Sequence, residues 1–261
     1  MPPSPFVLIS PGSRGLSLAL VRHYLRTTDF PVYATHRSGK PDALRDGILA
    51  PLAEVERDRL KLIPLDLTSE ESIASAAQTL SRSLPKDGEP YLHTGFFTGG
   101  VLVPERHPAD LDASELQHTF QINVISHLLL IKHFLRFLPT AKQKLELSAP
   151  AKWVHVSARV GSISDNKTGG WYSYRASKAA LNQVVKTFDL QLQMKKTPAM
   201  CVGMHPGTVK TELSQGFWKS VPEEKLFTPE FAAERLANVV AGLEAEQRGR
   251  IWDWAGKEVR P

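Results

Sequence analysis

What the 261-residue chain lacks narrows its chemistry first. It has one cysteine, Cys201, so it can form no internal disulfide and no cysteine-based zinc site. A chain of this length needs no such staple, because it buries roughly 70–75% of its unfolded surface. Its 9 histidines fall at no metal-binding spacing, and no metal is expected. Long hydrophobic runs are missing too. The strongest stretch, 122–138, is interrupted by Asn123, His127, Lys132, His133 and Arg136, well short of the roughly 18 uninterrupted apolar residues of a membrane span. The opening Met1-Pro2-Pro3-Ser4-Pro5 carries no basic segment, and the apolar run at 6–9 is too short for a signal core. A cytoplasmic protein without a membrane partner is the expectation. Neither sign of charge dominates: 32 basic residues against 27 acidic give a net charge of +5. The basic residues form no run of five or six, so nucleic acid is not an expected partner.

What is present reads as an ordinary globular chain, 42% hydrophobic and 23% charged. Apolar runs at 6–9, 31–35, 60–65, 91–97, 152–156 and 198–204 predict strands, with 249–254 as a seventh. Helical patterns separate them at 16–25, 70–84, 114–138, 171–195 and 229–243. Thr68 or Ser69 would cap the second of these, with Glu70 and Glu71 in its first turn, and Pro139 would stop the third. The polar stretch 42–58 reads as a short extra helix or a loop. Strand–helix alternation with continuously apolar strands predicts an α/β fold. It would be a single-domain Rossmann-type doubly wound parallel sheet over 1–261, with helices on both faces. Such sheets bind ligands at the carboxyl ends of their strands.

The turn after the first run reads Ser10-Pro11-Gly12-Ser13-Arg14-Gly15-Leu16-Ser17. A glycine-bearing strand-to-helix turn lets backbone approach a pyrophosphate seated on the helix N-terminus, which makes Gly12, Ser13, Arg14, Gly15 and Leu16 candidate cofactor contacts. Alone, two glycines near a helix start are more often an ordinary turn, and Pro11 removes one N–H. The second strand ends in Thr35-His36-Arg37-Ser38, with no acid to bind ribose hydroxyls. Arg37, helped by Arg14, suits a 2′-phosphate and hence NADP(H); the plain alternative is two solvated arginines. Tyr174 and Lys178, four apart, share one helix face. Most such pairs are surface pairs, but an ammonium beside a phenol brings it toward a useful acid–base range.

Taken together these features resemble the short-chain dehydrogenase/reductase family over nearly the whole chain. Tyr174 and Lys178, with Ser177, match its YxxxK motif, and residues 10–17 its glycine-rich turn. Asp66-Leu67 matches an aspartate that contacts adenine, and Phe97-Thr98-Gly99-Gly100 lies at its NNAG segment. Asn123 matches its helix asparagine, and His205-Pro206-Gly207-Thr208-Val209-Lys210-Thr211 its PGxVxT segment. The stretch from Gly161 to Arg175 looks like the subgroup of sniffer-type carbonyl reductases and bacterial C-factor proteins.

The resemblance implies an NADPH-dependent oxidoreductase that reduces a small-molecule carbonyl (aldehyde, ketone or quinone) by hydride transfer. Tyr174 would donate the proton, Lys178 would lower the tyrosine pKa and hold the nicotinamide ribose, and Asn123 would anchor a water-linked relay. Asp66, Leu67, Thr98, Gly99, Pro206, Gly207, Thr208, Val209 and Thr211 would line the cofactor. A homodimer or homotetramer, pairing through helices 114–138 and 171–195, is the family habit. The chain departs from the family at Pro11 and Ser17, where glycines stand, and at Ala158, which aligns with the catalytic serine. Ser157 is the adjacent hydroxyl and the candidate fourth catalytic residue. Neighbours on a strand point to opposite sides, so it could serve only if the strand end is bent or shifted. These departures carry the alternative of a catalytically weak or inactive relative that binds a dinucleotide or regulates. Elsewhere the expectations are plainer. Cys201 packs in the core, His127 and His133 lie at a surface or interface, and His155 is packed or hydrogen-bonded. Trp171 and Tyr172 line the pocket or the core. The 215–227 loop, with Phe217, Trp218 and Lys219, favours an apolar or aromatic substrate.

Overall fold

In strand β1 (Pro3–Ser10) successive side chains part to opposite faces. Phe6 and Leu8 enter one hydrophobic cluster, Val7 and Ile9 another. A strand apolar on both faces must be covered on both, and the rest of the chain supplies the covers. This computed structural model describes residues 3–52, 54–143 and 149–261.

Helix α1 (Gly15–Thr27), α2 (Pro41–Leu49) and α7 (Pro229–Gly242) send Leu20, Ile48 and Leu236 into the cluster around Val7. Helices α3 (Glu70–Ser83), α5 (Ser126–Phe134) and α6 (Tyr172–Met194) send Ile73, Phe134 and Phe188 into the cluster around Phe6. Between them lie β2 (Val32–His36), β3 (Leu60–Pro64), β4 (Glu89–Phe97), β5 (Ala151–Val156), β6 (Ala199–His205), β9 (Ile251–Asp253) and β10 (Glu258–Val259). The sheet runs β10-β9-β6-β5-β4-β1-β2-β3. Every pairing in it is parallel except β9 with β10. A small parallel pair, β7 (Thr208–Val209) with β8 (Leu226–Phe227), stands apart from it.

Several boundaries differ from the sequence expectation. The first strand begins at Pro3, where its early residues pair with Glu89 and Pro90 at the start of β4. The polar 42–58 stretch holds α2 and a short 3-10 turn at Arg57–Arg59; residue 53 lies outside the described residues. Ser69 is the cap of α3, its hydroxyl accepting the Ser72 amide at 3.1 Å. The long helix expected over 114–138 divides into α4 (Ala113–Phe120), a π-helical turn (Gln121–Ile125) and α5, ending in a 3-10 turn before Pro139. Ile125, Leu128, Leu190 and Met194 are exposed on the helices expected to pair between subunits. Among the described residues, no helix is long and apolar enough to cross a membrane.

Candidate active site

The turns after β1, β4, β5 and β6 surround a cavity of about 840 Å³ at the carboxyl edge of the sheet. On one wall α1 begins at Gly15, with Arg14 before it in extended backbone and no side chain capping the helix. Its first amides therefore remain available to an anion. Gly15 adopts a left-handed φ of 54°, and a side chain there would bring Cβ to 3.1 Å from Thr211 Cγ2. Arg14, Gly15 and Leu16 all line the cavity, and Arg14 pairs across its rim with Glu212 at 2.8 Å. Gly12 has a different task. Its amide donates to the Thr35 carbonyl at 2.7 Å, and a Cβ would lie 2.7 Å from that of Ala34, so its smallness lets β2 approach. Ser13 is half-buried beside it.

The turn after β4 forms the floor. Thr98 Oγ1 lies 2.7 Å from Ser17 Oγ and donates to the Pro11 carbonyl at 3.1 Å, so two hydroxyls tie the two turns together. Leu67 packs over Gly99, where a Cβ would come within 2.6 Å of Leu67 Cδ1. At Gly100 a Cβ would sit 3.5 Å from Lys178 Nζ and 3.8 Å from Asn123 Oδ1, so the absent side chain leaves the ammonium approachable. Asn123, fully buried in the π-helical turn, holds this segment through both amide atoms. Its Oδ1 accepts the Val101 amide at 2.8 Å, and its Nδ2 donates to the Val101 carbonyl at 2.9 Å and to Ser177 Oγ at 3.0 Å.

Tyr174 and Lys178 descend from α6 into this floor. Lys178 Nζ donates to the Val156 carbonyl at 2.9 Å and lies 5.8 Å from the centre of the Tyr174 ring. Burial pushes the phenol up to about 12 and the ammonium down to about 8. In the chain by itself, then, burial outweighs the depression of the phenol expected from Lys178. Trp171, ahead of α6, takes a left-handed φ of 51° and donates its amide to the Glu105 carbonyl at 2.7 Å. Held there, its ring meets Phe217 with centroids 4.8 Å apart, and both line the cavity. Tyr172 is exposed and does not line it, and Trp218 turns to Ser214 at 2.9 Å.

Pro206, Gly207, Thr208, Val209 and Thr211 form the facing wall. Ser157 and Ala158 border the same space. The Ser157 hydroxyl donates to Asn182 Oδ1 at 2.6 Å, and Ala158 is extended (φ −150°, ψ 148°). Asp66 and Arg37, the residues expected beside an adenosine, do not line the cavity. Asp66 Oδ1 accepts from the Thr68 amide at 2.9 Å and hydroxyl at 2.7 Å; these bonds, with a smaller contribution from Arg37, hold its carboxyl below the usual range. Arg37 itself is exposed.

Sequence reasoning missed four features here. Ser17, which stands where the family has a glycine, is a partner of Thr98. Arg159 lines the cavity while bound to Asp165 and Asp253, both at 2.9 Å. His205 lines it too, with Nδ1 buried and unpartnered and its pKa pushed by burial down to about 4. His127, expected at a surface or interface, is fully buried against His155, their Nδ1 atoms 2.7 Å apart. The signal was available: His127 lies one helical turn after Asn123 and shares its inward face. His133 is half-buried, 3.0 Å from Glu70, and Cys201 is a core residue as expected.

Comparison with known proteins places this geometry. The profile of the family described as "short chain dehydrogenase" matches residues 5–221. The C-signal protein of Myxococcus xanthus is 33% identical over 150 residues, 58% of this chain and 81% of that protein. The structure of an NADPH-bound carbonyl reductase from chicken fatty liver superposes with a TM-score of 0.83 at 25% identity, covering 98% of each chain. Carbonyl reductase Sniffer of D. melanogaster, at 22% identity and 100% coverage of both chains, shares the fold with a TM-score of 0.82.

Proposed function

The chain belongs to the short-chain dehydrogenase family, and on that premise we propose that it is an NADPH-dependent reductase of apolar or aromatic aldehydes, ketones or quinones. The observation that carries this reading is the buried Tyr174–Lys178 pair at the floor of a cavity whose opposite wall is an uncapped helix N-terminus. That wall fits a dinucleotide: free amides at Gly15 and Leu16 suit a diphosphate, and the open space over Gly100 lets a ribose reach Lys178. Arg37 would take a 2′-phosphate, with Asp66 and Leu67 beside the adenine. When bound, the nicotinamide supplies the hydride.

The chain's own part is acid catalysis and orientation. Tyr174, protonated at neutral pH, donates from its Oη to the carbonyl oxygen. The Lys178 ammonium, 5.8 Å from the centre of the Tyr174 ring, stabilises the phenolate left when the proton is given up, and Asn123 keeps the Gly99–Val101 turn in place below it. Trp171 and Phe217 give the substrate an aromatic wall. With a panel of aldehydes, ketones and quinones, Tyr174→Phe should reduce NADPH consumption by about 10²-fold or more, the weight of a general acid. An unchanged rate shows that the acid is another group.

A second reading is favoured by one observation: Ala158 offers no hydroxyl where the family keeps one, and Ser157 is held by Asn182. On that reading the protein binds the dinucleotide and turns over weakly or not at all. Tight NADPH binding without turnover of any panel compound would establish it.

A further inference from the structure

On the face of the sheet covered by α5 and α6, three side chains that the proposed chemistry leaves unused form a continuous chain ending on the site. Trp153 and His155 are two apart on β5 and share a face. Trp153 Nε1 lies 2.9 Å from His155 Nε2, His155 Nδ1 lies 2.7 Å from His127 Nδ1, and His127 Nε2 lies 3.0 Å from the Gly99 carbonyl oxygen. All three side chains are fully buried.

Elementary donor and acceptor chemistry gives this chain one direction. An indole N–H can only donate, so His155 Nε2 accepts, and the neutral ring carries its hydrogen on Nδ1. A carbonyl can only accept, so His127 carries its hydrogen on Nε2 and offers a bare Nδ1. Each contact then pairs one donor with one acceptor, with both rings neutral. A further proton on His155 Nε2 would face the indole N–H, and one on His127 Nδ1 would face the His155 N–H. Lys178 is the charge felt at both rings, and its ammonium opposes a second one. Burial acts in the same sense and more strongly, pushing His127 down to about 3 and His155 well below its ordinary value.

We propose that His127 is a positioning residue, which grips the Gly99 carbonyl through this one-way chain and so fixes the Gly99–Val101 turn beneath the cofactor. The idea rests on the dinucleotide reading of the cleft. Asn123 and His127, one turn apart on one helical stretch, hold residues two apart in the turn, Val101 and Gly99. Thr98, just before them, is held by Ser17. Released at Gly99, the turn would shift where Gly100 borders Lys178 and Asn123, and with it the open space through which a ribose reaches the ammonium.

Two variants and one spectrum test this. His127→Leu removes both bonds; His127→Gln keeps an amide donor for Gly99 and a carbonyl acceptor for His155. His127→Leu should weaken NADPH binding, read by fluorescence titration, about tenfold, the weight of one buried hydrogen bond. The KM for NADPH should rise while that for the carbonyl substrate holds. His127→Gln should recover to within about threefold of the parent. A folded His127→Leu protein that binds NADPH like the parent overturns the proposal. So does a His127→Gln protein as impaired as His127→Leu, since packing would then be the cause. Should His127→Leu fail to fold, the parent decides. Its histidine ¹⁵N spectrum should show both rings neutral, the hydrogen on Nε2 of His127 and on Nδ1 of His155, down to about pH 5. An imidazolium or the reversed tautomers there overturns the chain. A parent that binds neither NADPH nor NADH overturns the cleft reading and the positioning role together, whereas the tautomers are read without any cofactor.

Discussion

Tyr174 and Lys178 are moved by the same cause in opposite directions. Burial disfavours the charged form of each, so the phenol rises to about 12 and the ammonium falls to about 8. At neutral pH the phenol keeps its proton and the lysine still mostly carries its own. That state is ready to give a proton, as carbonyl reduction requires; taking one from an alcohol needs the phenolate. Reduction should therefore hold through neutral pH and decline above about 8 as Lys178 discharges, while oxidation of the product alcohol rises with alkalinity. Initial rates in both directions across pH check this, and a reduction rate that climbs above that point reverses the assignment. The missing hydroxyl at position 158 gives a second expectation. Removing one donor to a developing oxyanion costs about 10²–10³ in rate, so Ala158→Ser should raise kcat by about tenfold or more. No gain would mean that another donor serves the substrate oxygen, and His205, neutral on the same cavity wall, is the group to replace next.

The strands were legible in the sequence because each is a short apolar run, and their carboxyl ends indicated where a cleft would lie; Thr98, Tyr174 and Pro206 came as candidates from the family resemblance, and all three line the cavity at that edge. Chemistry at strand ends needs only the strand, not its exact length. That is why starting β1 at Pro3 instead of residue 6 moved nothing that mattered. Helix interiors were less legible. A π-helical turn inserts one residue into a helix without changing the composition that announces it, so periodicity reads 114–138 as one regular helix. Both Asn123 and His127 end fully buried. Four apart, they share a face in a regular helix as well, so the expectation of a surface or interface for His127 came from the polarity of its ring and not from helix phase. Trp171 was undecided for a different reason. Its place against Phe217 depends on a left-handed backbone conformation held by the Glu105 carbonyl, a contact from 66 positions earlier that no local pattern encodes. Side-chain direction escaped in the same way at Ser157, whose partner Asn182 lies on another element.

At the scale of the whole molecule, binding and catalysis separate. A ligand that binds the folded chain and not the unfolded one stabilises it by about 2.7 kcal/mol at one hundred times Kd. For a chain of this size that corresponds to a rise in Tm of about 5–10 °C. The cleft is built from turns of β1, β4, β5 and β6, so its occupant bridges segments from both ends of the sequence and should stabilise the chain as a unit. The net charge of +5 comes from basic residues scattered along the sequence, and a general attraction for anions would not favour one dinucleotide. Arg37 would: NADPH should shift the melting curve more than NADH at equal concentration, and Arg37→Glu should remove the difference while sparing the NADH shift. Differential scanning fluorimetry reads all of these without turnover. A shift with no activity on any carbonyl selects the binding relative over the reductase. No shift with either dinucleotide overturns both readings, because each requires the helix N-terminus at Gly15 to hold a diphosphate.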